Sequence, residues 1–193
     1  IRYGIPKAKL ERSYKLIKKI RKFISSIKAN QSVQDFQVGK YGHVLASVQR
    51  KLLIDPMSSQ NYSLLGLTSL HLFDRNSALR YMRRAIMIDV NNIDALNNLG
   101  ILLFQKGHIN ESARILKNAI IQLPSHLDSY NSLHACIRSN NNFLESKKIA
   151  RVALIIDPNN SITNNNFGAD LIEIGLPQKA LGFLRKSTSL DPI

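Results

Sequence analysis

The side chains through which acid–base, metal or nucleophilic chemistry could run in this chain are five histidines, thirteen carboxylic acids and one cysteine. His43, His71, His108, His126 and His134 stand apart, with no metal-binding spacing such as H-E-x-x-H, in which two imidazoles one helical turn apart meet one ion. Cys136 lies between Leu133 and Ile137 in an apolar helical stretch, which marks it as a core thiol rather than a nucleophile. Being single, it closes no internal disulfide and builds no multi-thiolate zinc site. Four of the acids, Asp55, Asp89, Asp157 and Asp191, recur at matching places beside helix ends, a structural position. There is no glycine-rich phosphate loop, no G-x-S-x-G elbow and no paired-cysteine motif. The stretch is therefore read as non-catalytic, with no metal and no cofactor.

The elements that carry these residues follow from a period of 34. A helix end recurs as LLIDPMS, MIDVNN, IIQLPSH, IIDPNN and TSLDPI, and Pro56, Pro124, Pro158 and Pro192 fall on one lattice, with Val90 in place of proline once. The blocks are 25–58, 59–92, 93–126, 127–160 and 161–193. Within 93–126, Leu96, Leu99, Leu102 and Leu103 follow helical spacing up to Gly107, which tolerates the left-handed backbone of a helix end. A second helix with Ile115, Leu116, Ala119 and Ile120 on its apolar side stops at Pro124, which has no backbone donor. Gly39, Gly107, Gly175 and Asn141 hold the turn position. Phe73 breaks this rule, and that turn is expected to differ.

This pattern resembles the tetratricopeptide repeat, which has small residues at its eighth, twentieth and twenty-seventh positions and proline at its thirty-second. Gly66, Gly100 and Gly168 stand at the eighth, Ala78, Ser112, Ser146 and Ala180 at the twentieth, and Ala85, Ala119, Ala153 and Ser187 at the twenty-seventh. Small side chains belong where helix axes approach closely. The resemblance covers about residues 33–193 and implies an all-α, right-handed superhelical solenoid of antiparallel helix hairpins. His134 replaces glycine at the eighth position, so its hairpin is expected to be splayed or shifted. Block 25–58 has Lys51 where a small residue belongs, and its first helix lacks the pattern. It reads as a degenerate capping repeat.

The resemblance also implies a concave groove lined by the first helix of each hairpin. The candidate peptide-binding residues are Ser63 and His71; Asp94, Asn97, Asn98 and Gln105; Asp128 and Asn131; and Asn165, Asn166 and Glu173. A primary amide donates and accepts, so an asparagine row can pair with peptide backbone whatever the peptide's side chains. With Asn98 and Asn166 at the sixth position, the chain is similar to the repeat region of O-linked N-acetylglucosamine transferase, although Ser132 and Leu64 interrupt the row. In a chain this rich in asparagine, the same row also reads as solvated surface. No cation occupies the fifth or ninth position of the complete repeats, which argues against the carboxylate clamp of chaperone-binding repeats.

Lys and Arg exceed Asp and Glu by 14, and ten basic residues against Glu11 alone fall in the first 30 positions. Residues 7–28 place Leu10, Ile17, Ile20, Ile24 and Ile27 on one helical face, a basic amphipathic helix within an N-terminal segment assigned as 1–24. Its expected role is to cap the first repeat. Arg12, Lys15, Lys18, Lys19 and Lys22 are the candidates for an anionic surface, a membrane ahead of a nucleic acid. No stretch approaches the roughly 20 apolar residues of a membrane-spanning helix. Leu181, Phe183, Leu184 and Leu190 invite a following helix, so the chain is expected to continue beyond Ile193. The expected function is a scaffold that binds a protein or extended peptide. The alternative is the repeat region of a larger glycosyltransferase- or sulfotransferase-like enzyme.

Overall fold

The computed structural model describes Lys15 and residues 31–191. Apart from Lys15, the expected segment 1–24, and with it Arg12, Lys18, Lys19 and Lys22, lies outside the described residues. Lys15 is exposed. From residue 31 onward helices follow one another, and no strand occurs among the described residues. They are α1 (31–37), α2 (Tyr41–Ile54), α3 (Ser59–His71), α4 (Arg75–Ile88), α5 (Ile93–Gln105), α6 (Ile109–Gln122), α7 (Leu127–Arg138), α8 (Phe143–Ile156), α9 (Ser161–Glu173) and α10 (Pro177–Leu190). From α3 onward, equivalent helices begin 34 residues apart.

Each odd-numbered helix from α3 packs on the even-numbered helix that follows it, and that one packs on the next hairpin. The first helices also touch in succession, α3 with α5, α5 with α7 and α7 with α9, whereas successive second helices share no comparable contact. First helices therefore form a continuous inner layer and second helices a separated outer one, which is the geometry of a curved solenoid. Among the described residues, no helix is long and apolar enough to cross a membrane.

Local chemistry fixes the helix boundaries. Ser58, Asp74, Asn92, Asn142 and Asn160 each accept a hydrogen bond from the N–H three residues on. A side-chain cap of this kind contributes about 1 kcal/mol by satisfying an otherwise orphaned helix donor. Asp55, Asp89 and Asp157 follow the second helices and accept from the N–H two residues on, which closes the inter-repeat turns. Inside the hairpins the turn residue is left-handed: Gly39, Gly107 and Gly175 at φ of 76°, 81° and 78°, and Asn141 at 58°. Phe73 adopts the same conformation at φ 62°, so the expectation of a different turn there is corrected. The repeat geometry imposes the turn, and Phe73 takes the steric cost of a Cβ in that region, about 1–2 kcal/mol.

Close helix approach inside the hairpins depends on the missing Cβ of glycine. A Cβ on Gly66 would lie 2.7 Å from Met82, one on Gly100 2.6 Å from Leu116, and one on Gly168 2.8 Å from Leu184. Each contacted residue is sixteen positions downstream. The residue sixteen positions after His134 is Ala150, and both are buried at 1% exposure. The expectation of a splayed hairpin is therefore corrected: α7 and α8 stay packed because the large residue has changed sides. The first block is corrected in part. Ser32, at its eighth position, is small and fully buried, and the Lys51 Nζ donates to its Oγ at 2.6 Å.

Candidate functional site: the inner face

The inner layer is sculpted into two adjoining concavities. One, of about 540 Å³, lies across α5, α7 and the start of α9 and is lined by Asn97, Asn98, Ile101, Phe104, Gln105, Asp128, Asn131, Ser132, Ala135 and Ile162. The other, of about 460 Å³, includes Phe36, Lys51, Gln60, Ser63, Leu64, Leu67, Asn92 and Asp94. Helical spacing explains the lining: Asn97, Asn98, Ile101 and Gln105 follow i, i+1, i+4 and i+8 along one face of α5. The opposite face, with Leu96, Leu99 and Leu103, is in the core.

The structure thus gathers five of the sequence candidates, Asn97, Asn98, Gln105, Asp128 and Asn131, around the first concavity. Ser63 and Asp94 line the second. The other four stand outside both. The His71 ring stacks on Tyr41 at 4.7 Å and meets Phe36 edge-on at 5.0 Å. Asn165 is exposed, and Asn166 donates to Asn131 Oδ1 at 3.5 Å. Glu173 accepts from Arg138 at 2.9 Å.

The asparagines differ in how their hydrogen-bonding capacity is used. Asn131 Oδ1 accepts from Thr163 Oγ1 at 3.0 Å as well as from Asn166, so it laces one repeat to the next. Asn97 is 7% exposed, and its Oδ1 is buried without a hydrogen-bond partner. A buried, unpaired carbonyl costs about 1–3 kcal/mol, and no donor among the described residues reaches this one. Charge on the inner layer is acidic. Helices α3, α5, α7 and α9 together carry Arg138 against Asp94, Asp128, Asp170 and Glu173, a net of −3.

Two features of this layer escaped sequence reasoning. The first is a buried ionic cluster. Asp170, fully buried, accepts from His134 Nε2 at 2.8 Å and from Arg138, whose other nitrogen holds Glu173. Burial holds the His134 imidazole below its usual range, against the pull of the Asp170 carboxylate. Its partners are 32 to 36 residues away, one repeat on, so a search for pairs at that separation could have found it. The second is the contribution of Phe36 and Lys51, which belong to the repeat read as degenerate.

Cys136 is 1% exposed, with its Sγ 3.0 Å from Ser112 Oγ, and burial raises its thiol pKa, which disfavours the reactive thiolate. Among the described residues, no three His, Cys, Asp or Glu side chains converge on a metal-sized point.

No family model matches the chain, and no curated protein matches it in sequence. Solved structures do match it in shape. MamA from Desulfovibrio magneticus RS-1 aligns with a TM-score of 0.72 at 14% identity, covering 86% of this chain and 94% of that one. TTC0263, a tetratricopeptide-repeat protein of Thermus thermophilus, aligns at 0.72 and 17% identity over 87% and 92% of the two chains. PilF of Pseudomonas aeruginosa aligns at 0.77 and 17% identity over 88% and 76%. At these identities the likeness is one of fold. Stacked 34-residue hairpins, a continuous inner layer and this likeness together give the chain the tetratricopeptide-repeat fold.

Proposed function

We propose that the chain is a protein-interaction scaffold whose inner face holds an extended, neutral or basic peptide segment. The observation that carries this reading is the Asn97 amide, nine-tenths buried in the wall of the larger concavity with an unpartnered Oδ1. The terminal torsion of an amide side chain is soft, so a small rotation presents that oxygen to a peptide N–H. Asn98 and Gln105 stand beside it with both donors and acceptors, which suits main-chain pairing. Asp94 and Asp128 add negative charge at the two concavities and favour a partner with Lys or Arg side chains. Ile101, Phe104 and Ile162 supply apolar surface for the peptide's own apolar residues.

The test is to select linear peptides from a displayed random library on the full chain and titrate the winners by fluorescence anisotropy. Asn97→Ala should weaken them about tenfold whatever their side chains, the value of one lost hydrogen bond. Asp128→Ala should weaken the basic ones selectively. Peptides that bind both variants with unchanged affinity would place recognition elsewhere.

A further inference from the structure

The outer layer has a chemistry opposite to the inner one. Helices α4, α6, α8 and α10 carry twelve Lys and Arg against Glu111 and Glu145, a net of +10. Near the C-terminal end of each second helix from α2 to α8 stands a bare aliphatic side chain. Leu53, Met87, Ile121 and Ile155 are spaced 34 residues apart and are 86%, 73%, 74% and 75% exposed. Single exposed apolar residues are ordinary, but one at the same position of four successive repeats makes a periodic ridge, one side chain per hairpin.

The cations are in register with that ridge. One turn before it lie Arg83, Lys117 and Arg151, and two turns before it Arg80, Arg114 and Lys148, all exposed. Positions i, i+3 and i+7 share one helix face, so three hairpins in a row present the same cation, cation, aliphatic triplet. Glu111 meets Arg83 at 3.5 Å and Glu145 meets Lys148 at 3.3 Å, both on the exposed surface. Among the described residues, no carboxylate pairs with Arg114, Lys117 or Arg151.

We infer that this outer face docks on an anionic lipid bilayer, with the aliphatic ridge at the headgroup–acyl boundary and the cationic rows on lipid phosphates and carboxylates. Basic polar surface beside protruding aliphatic side chains is what stabilises interfacial association, through apolar burial and attraction to acidic lipid together. A nucleic acid would use the cations but gain nothing from an exposed ridge without aromatic rings. A second copy meeting it outer face to outer face would set like charges against each other. Docking through the outer layer leaves the inner concavities open, so the inference stands independently of the peptide reading.

The chain contains no tryptophan, so one introduced on the ridge reports alone. Ile121→Trp and Ile155→Trp, with Ile101→Trp on the inner face as reference, are titrated with phosphatidylcholine vesicles with and without about one third phosphatidylserine. Expected are a blue-shifted emission and quenching by brominated lipid for the two ridge reporters, only with the acidic lipid, and no change for the reference. Arg114→Glu, Lys117→Glu and Arg151→Glu combined should weaken vesicle binding about 100-fold or more, since each cation near an acidic surface contributes a factor of about five. Lys15, Lys18, Lys19 and Lys22 to Glu, in an otherwise unchanged chain, separates the N-terminal segment's share and should leave the ridge signals in place. Ridge emission that stays at its value in water, vesicle binding insensitive to the triple charge reversal, or preferential binding of duplex DNA with the ridge reporters unmoved would each overturn the inference. The reporter results hold even if the triple variant fails to fold.

Discussion

Replacing Gly100 with alanine tests the size exchange that holds the hairpins together. The new Cβ would sit 2.6 Å from both Cγ and Cδ2 of Leu116, a branch point that cannot swing aside as a chain end can. Overpacking of this kind costs about 1–3 kcal/mol, while the gain in helix propensity over glycine is about 1 kcal/mol. Gly100→Ala should therefore destabilise by up to about 2 kcal/mol. Leu116→Ala removes a fully buried side chain and should cost about 2–5 kcal/mol. In that background the alanine at 100 meets no obstacle and keeps its propensity gain, so Gly100→Ala should now stabilise by about 1 kcal/mol. The two changes must be coupled by roughly 2 kcal/mol, far outside the 0.3–0.5 kcal/mol within which independent sites add. Urea unfolding of the four proteins, followed by circular dichroism and fitted with a nearest-neighbour repeat scheme, measures this directly. Additive effects would refute the account of how His134 and Ala150 trade places.

Two further predictions concern backbone strain and titration. Phe73→Gly should raise stability by about 0.5–1 kcal/mol, because relief of the left-handed strain exceeds the entropy cost of glycine and the ring is 90% exposed. A thermal melt checks it, and a loss of stability would mean that the ring makes a contact that matters. His134 has a folded-state pKa below its ordinary value of 6.5, so the unfolded chain takes up that proton more readily. Its stability contribution is complete above about pH 6.5 and declines as pH falls through that value, by at most about 1.4 kcal/mol per pH unit. His134→Gln should flatten this part of the urea-midpoint profile. An unchanged slope would show that the imidazole takes up its proton equally in the folded and unfolded chain.

Much of the architecture was legible because periodic residue types carry it. Prolines after the second helices, small residues at close approaches and glycine in the turns are each imposed by local sterics, and sterics act on one residue at a time. What was not legible depends on pairs. His134 looks disruptive until Ala150 is read with it, and Phe73 looks like a different turn because propensity is weighed without the hairpin packing that overrides it. Among the inner-face asparagines, composition could not tell Asn131, which bonds to Thr163, from Asn97, whose oxygen has no partner. Asn92 and Asn160 each end an asparagine pair that would suit a turn, and their role as helix caps depends on where the next helix starts.

The unequal cohesion of the two layers has a mechanical meaning. First helices touch their successors, and second helices share no comparable contact among the described residues. The inner layer is thus the stiff flange of a curved beam and the outer layer the compliant one. Flexing such a beam opens and closes the gaps between α4, α6 and α8 while the spacing from Asn97 to Asn131 hardly alters. A ligand lying along the flange would be insulated from that bending, whereas any surface gripping the outer ridge would load the soft side and tune the curvature.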